Sequence, residues 1–321
     1  MANTGPGWHV GRLVLDKPTL IIAVLFFMPV ALPSLLGWLN GLLAVPVFFL
    51  LLREDNVQRA NIQIRHGLFL AAIGALLINH LMLIVFSLTM LPLGYSFYRS
   101  VRRNDDPVTT GAKGIVNLAL SWLIFWTVYG VIVGSNPYTS LQTMLDTTLN
   151  QVLTIYQSST DLPADVSYNL KQIIETIQGL VPKILPGLLV SSILVTVWLN
   201  LVVSVRILRQ FRPATLTWPR YKKWQLPDQL VWLAIAAVVL SIVDNAALNN
   251  IGYSLAIVVL MLYLFQGLAI MVHFFDRFNV PAFLRIILYA LLTLQSYGLL
   301  LLSLIGLADV WLNIRKLEHN T

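Results

Sequence analysis

A chain of 321 residues that is 57% hydrophobic and 11% charged, with a mean hydropathy of +0.77, lies outside the range of water-soluble folds, which carry about 25% charged residues. Its net charge of +7 sits in short clusters that flank apolar runs, which is membrane topology rather than a nucleic-acid stripe. The absence of cysteine excludes disulfides, thiolate metal sites and cysteine nucleophiles together.

In chain order, Arg12 and Lys17 precede the first apolar run, and no small-residue cleavage site follows it, so no cleaved signal peptide is expected. Residues 20–52 form an uncharged stretch of 33 residues punctuated by Pro29, Pro33, Gly37, Asn40, Gly41 and Pro46. That is long for one span and short for two, since a span takes about 20 residues. Basic residues on both flanks favour a hairpin of short helices turning near 33–40. Residues 67–98 repeat the arrangement, with Asn79 and His80 in the middle and Arg99, Arg102 and Arg103 after. The sequences Val45-Pro46-Val47-Phe48-Phe49 and Leu91-Pro92-Leu93-Gly94-Tyr95 are alike, which reads as an internal repeat or as ordinary proline-kinked helices.

Residues 104–113 are a polar loop and 116–133 one clean span with Trp122, Trp126 and Tyr129. The segment 137–183 is the only long amphipathic one. Its apolar positions, Leu141, Met144, Leu145, Leu149, Val152, Leu153 and Tyr156, recur at helical spacing. Asp161-Leu162-Pro163 interrupts the pattern, which resumes from Val166 through Leu170, Ile173, Ile174, Ile177 and Val181. Four acids against two bases set this segment apart from the basic loops, so it is expected to be an extracytoplasmic helical pair. Its second helix feeds a span at 184–207 through Pro182 and Pro186. Residues 206–223, from Arg206 to Lys223, hold six bases interleaved with Phe211, Trp218 and Tyr221. They read as a headgroup-level anchor, or as a segment that selects anionic lipid. Spans follow at 230–243 and 251–272, and a last apolar run at 283–307 crosses once or turns at 295–297. The expected fold is all-α, a polytopic membrane protein of eight to ten short, Pro- and Gly-interrupted helices. Its parts are 1–113, 114–208 and 209–321.

The second half carries a series of motifs: Leu185-Pro186, Asn200, Arg206, Trp224-Gln225-Leu226-Pro227, Gln266-Gly267-Leu268-Ala269-Ile270, and Gly306-Leu307-Ala308-Asp309-Val310-Trp311 with Arg315. In order and spacing they resemble the YybS-like family of predicted bacterial membrane proteins, a domain of unknown function. The family pattern has a second acid where this chain has Asn313. The resemblance implies an all-helical fold, a bacterial cytoplasmic (inner) membrane location, and structural or partner roles for Trp224, Pro227, Asp309, Trp311 and Arg315. Through that family the chain is distantly similar to substrate-binding components of energy-coupling transporters.

The sequence has no phosphate-binding glycine loop, zinc-protease or serine-hydrolase signature, and its five histidines are scattered. No enzyme, metal or cofactor is expected. Polar groups within apolar runs are the better clue, because burying them in a bilayer is costly. Candidate ligand contacts are Asn79, His80, Asn200, Asp244, Asn249, Asn250 and Gln266. Each also has a bland reading as a packed, hydrogen-bonded or solvated side chain. Arg315 is expected to find Asp276 or Asp244, because Asp309 lies six residues away and pairing there would need a bend, or else to snorkel to the headgroups beside Trp311 as a lipid anchor. Two functions fit: a solute-binding or transport component, or a membrane scaffold for a cell-envelope complex. Expected partners are the bilayer, a membrane protein or a second copy, and no nucleic acid.

Overall fold

The computed structural model describes residues 16–54, 56–157, 164–211 and 218–315, and these are helical with short connections and no strand. Their contacts group the chain into two units, residues 1–125 with 196–217, and residues 126–195 with 218–321.

In the first unit, α1 (Lys17–Ala31) starts where Asp16 accepts the Thr19 N–H at 3.1 Å and the Thr19 hydroxyl at 2.7 Å. The other Asp16 oxygen accepts from Gln63 at 2.5 Å. Asp16→Ala removes an N-cap worth about 1 kcal/mol and leaves the Gln63 amide, on a residue 1% exposed, without that acceptor. A lower thermal midpoint than for Asp16→Asn is expected; equal midpoints for the two variants would overturn the cap assignment. Beyond α1 come α2 (Pro33–Leu36) and a 3-10 turn (Gly37–Leu42), bent 106° from α1. Pro33 begins α2, where its missing N–H has no helical partner to lose.

The unit continues with α3 (Ala44–Arg53), α4 (Val57–Leu77), α5 (Leu81–Leu88), α6 (Leu91–Arg102) and α7 (Pro107–Val133) as far as Phe125. Helix α1 packs along α4, and α3 along α6. The two similar proline-containing sequences thereby face each other: Phe48 meets Phe97 edge-on at 6.1 Å, and Gly94 lies against Val47. Ile22, Phe26, Leu93 and Phe97 are fully buried here, which removes their apolar surface from competing contacts.

The second unit draws on α8 (Pro137–Gln157), the first part of α9 (Ala164–Phe211), α10 (Val231–Ile242), α11 (Ala246–Arg277), α12 (Ala282–Leu294) and α13 (Ser296–Leu312). The amphipathic stretch after the break and the following span are one helix of 48 residues, with Pro182 and Pro186 inside it. At 1.5 Å per residue it is about twice the hydrocarbon thickness. The break at 161–163 lies outside the described residues. Helix α11 is flanked by α10 and α13.

Among the described residues, five helices are long and apolar enough to cross a membrane: 57–77, 81–102, 107–133, 168–211 and 246–277. The number is seven if each of two bent pairs, 17–42 and 282–312, is one span. This falls short of the expected eight to ten, because the apolar helices Ala44–Arg53 and Asp228–Ile242 are too short to span alone.

Candidate functional site

The second unit gathers most of the polar residues singled out in the tail and the 224–227 motif. Arg315 donates from Nη2 to Asp309 Oδ2 at 2.8 Å and from Nε at 3.2 Å, and both side chains are completely buried. Its Nη1 donates to the carbonyls of Lys222 (3.1 Å) and Trp224 (2.9 Å). Asp309 Oδ1 accepts the Ile314 N–H at 2.9 Å, while Oδ2 also accepts from Gln266 at 3.2 Å. The Gln266 oxygen in turn accepts the Leu226 N–H at 3.1 Å. Each charge is thus met by opposite charge and hydrogen bonds, the condition for tolerating ions in a low-dielectric interior.

The expectation that Arg315 pairs with Asp276 or Asp244 is incorrect. Helix α13 ends at Leu312, and Asn313 takes the left-handed conformation, φ 40° and ψ 54°. That reversal folds the chain back and brings residues six apart into contact; asparagine is among the few residues that adopt it readily. Asp276 is held instead by Lys222 at 2.9 Å and Arg285 at 2.9 Å, and Asp244 lies exposed in the α10–α11 turn. The segment 221–226 is strapped to α11 and α13 by these bonds and by the Tyr221 hydroxyl, which donates to the Phe265 carbonyl at 2.6 Å.

The first unit holds a half-open cavity of about 410 Å³ at the end of α6 and the start of α7. Leu91, Pro92 and Tyr95 supply its less polar wall, and Ser96, Ser100 and Asn117 line it further. Arg99, Arg103, Lys113 and Asp105 complete it. Lys113 sits 2.5 Å from Asp105, and this ammonium holds the Asp105 carboxyl below the ordinary carboxylate range. Arg99 and Arg103 make no ion pair among the described residues.

A family match covers residues 20–310. The chain belongs to the family described as predicted membrane protein (DUF2232). No curated protein and no solved structure matches it.

In this DUF2232 protein the remaining sequence-predicted residues do not converge. His80 Nδ1 lies 2.9 Å from the Val30 carbonyl, so that nitrogen carries the proton and ties the α4–α5 turn to α1. Asn79 has φ 58° in the same turn. Asn200 is fully buried and donates to the carbonyls of Gly41 and Thr196, pinning the 3-10 turn to α9. Asn249 donates to the Ser241 carbonyl at 2.5 Å, Asn245 caps α11, and Asn250 is exposed. Pro227 and Trp311 are exposed, and Trp224 stacks on Tyr221 with ring centroids 6.2 Å apart. The cavity was not anticipated. Its signal is the pairing of Ser96 with Ser100 and of Arg99 with Arg103 at helical spacing, followed by an acid and a lysine.

Proposed function

We propose that this family member is a non-catalytic protein of the bacterial cytoplasmic membrane that binds or transports a polar solute. The observation that carries this reading is the presence of one sharply bent pair of short helices in each unit, at 106° where Pro33 follows the break and at 104° around Gln295. Interrupted short helices in corresponding halves point to a binding site in transporter folds. The reading extends the resemblance of the second-half motifs to the YybS-like family and, through it, to substrate-binding components of energy-coupling transporters. The expected eight to ten crossings would require both limbs of the bent pairs, or the short helices, to cross as well. The charge asymmetry of the sequence supports an extracytoplasmic α8 and early α9, with the basic segment 206–223 as a headgroup anchor that prefers anionic lipid.

One observation favours the second reading, a scaffold. Helix α8 has no buried residue among those described, and Met144 is 67% exposed. Leu141, Leu145, Leu149 and Leu153 of its apolar stripe are half-buried, while Met144, Val152 and Tyr156 lie open for a partner, a second copy or the membrane interface. Its tie to α9 is polar, a Gln178 to Asn150 hydrogen bond of 3.0 Å.

Native mass spectrometry of the purified full chain separates the two. A stoichiometric small solute is expected; a stoichiometric protein partner with no solute would replace the transport reading by the scaffold. Met144→Asp is expected to leave the thermal midpoint unchanged, because Met144 is uncovered, and to remove any partner bound to α8. A large drop in midpoint would mean that the chain itself covers the stripe.

A further inference from the structure

We infer that the cavity at the α6–α7 corner is a binding site for a phosphate-bearing anion. Three features of the wall carry this. First, three bases face one acid, and that acid is already engaged by Lys113 at 2.5 Å. Arg103 feels the Asp105 carboxylate only at a distance, neither Arg99 nor Arg103 forms a close ion pair among the described residues, and a planar guanidinium matches phosphate oxygens two at a time. Second, neutral polar groups line the same space: Ser96, Ser100 and Asn117. Ser96 and Ser100 are buried, and Asn117 is oriented by bonds to the Lys113 carbonyl (2.7 Å) and the Ser96 hydroxyl (3.3 Å). Phosphate has enough acceptor oxygens to use cationic and neutral donors together. Third, the cavity lies where the candidate span 81–102 ends, with Leu91 and Pro92 on its apolar side. A volume of about 410 Å³ falls within the range of small-ligand sites.

The backbone fixes this arrangement. Helix α6 closes at Arg102, Asn104 turns the chain at φ 56°, and Asp106 starts α7 by accepting the Thr109 N–H at 2.7 Å. The corner is therefore set before any ligand arrives, so little ordering opposes binding. The site is independent of the transport reading, since a scaffold could hold the same anion.

The same chemistry comes from a lipid headgroup or from a soluble phosphate compound. The full chain in neutral detergent would be titrated with phosphatidylglycerol, with phosphatidylcholine, and with inorganic phosphate, reading bound adducts by native mass spectrometry and the thermal midpoint. Phosphatidylglycerol binding that exceeds phosphatidylcholine binding supports the site and makes it a lipid site. Saturable stabilisation by inorganic phosphate alone supports the site and makes the ligand soluble. Arg99→Gln with Arg103→Gln is expected to weaken the bound probe at least tenfold, since charged hydrogen bonds of this kind are each worth about that factor. Arg102→Gln, on the same helix but off the cavity wall, is expected to change it less than twofold. If the paired variant does not fold, each single glutamine variant is expected to lose about tenfold by itself. Binding of neither probe, or equal loss in Arg102→Gln, overturns the assignment.

Discussion

Arg315→Met is expected to destabilise the protein by about 3–5 kcal/mol, the cost of leaving a buried partner charge unpaired. The partner is Asp309, completely buried 2.8 Å from the guanidinium. The same substitution strips a donor from the Lys222 and Trp224 carbonyls, so the 221–226 strap loosens with the tail. Asp309→Leu with Arg315→Met removes both charges and is expected to lose less than Arg315→Met alone, because no ion remains buried. Arg315→Asp combined with Asp276→Arg is not expected to recover stability, since Asp276 is already shared by Lys222 and Arg285. Denaturant unfolding in mixed micelles measures all of these. A double variant as unstable as Arg315→Met, or a single variant as stable as the wild type, would show that the ion pair does not hold the tail.

Much of the architecture is legible in residue pattern because apolar spacing and prolines act locally. The helical spacing from Leu141 to Tyr156 corresponds to α8, and Pro137 stands at its first position. The continuation through Pro182 and Pro186 is also legible, but its consequence is not. The two prolines leave the Gln178 and Pro182 carbonyls without a helical donor, yet the helix runs on through both; beside them the Ser254 hydroxyl donates to the Lys183 carbonyl at 2.7 Å. The 224–227, 266–270 and 306–315 motifs are visible as a series, and the fold brings Gln266, Asp309 and Arg315 into one cluster with the backbone of Leu226 and Trp224. What decides their pairing is a single left-handed residue, Asn313, whose conformation sequence spacing does not reveal. The number of spans is hidden for a related reason. A bend such as the one after Ala31 depends on how the turn packs, here on Asn200 holding the Gly41 carbonyl. The cavity at the α6–α7 corner needs the Asn104 turn, so Arg99 and Lys113 read only as topology markers until the corner is formed.

Gly267→Ala or Gly306→Ala is expected to cost at least 1–3 kcal/mol, the usual range for overpacking. A Cβ at Gly267 would fall on the Leu302 carbonyl, and one at Gly306 on the Tyr263 carbonyl. Residues 263 and 267 are one turn apart on α11, as 302 and 306 are on α13, so each glycine admits the other helix's backbone. Neither obstruction is a flexible side-chain end that can rotate aside; the helices must separate. Separation would also draw Asp309 from Gln266 and Tyr263 from its buried position beside Leu226. Gly179→Ala in α9 is the control, because nothing lies within 4 Å of a Cβ there. It is expected to be neutral or stabilising by up to about 1 kcal/mol, from the higher helix propensity of alanine. Unfolding midpoints in detergent rank the three, and Gly267→Ala as harmless as Gly179→Ala would rule out the close crossing. The cluster and the crossing also share one register. Gly267→Ala combined with Arg315→Met is therefore expected to lose less than the sum of the two single losses, because a displaced α13 has already broken the contacts that Arg315 would otherwise make. Strict additivity would mean that the tail and the helix crossing are held independently.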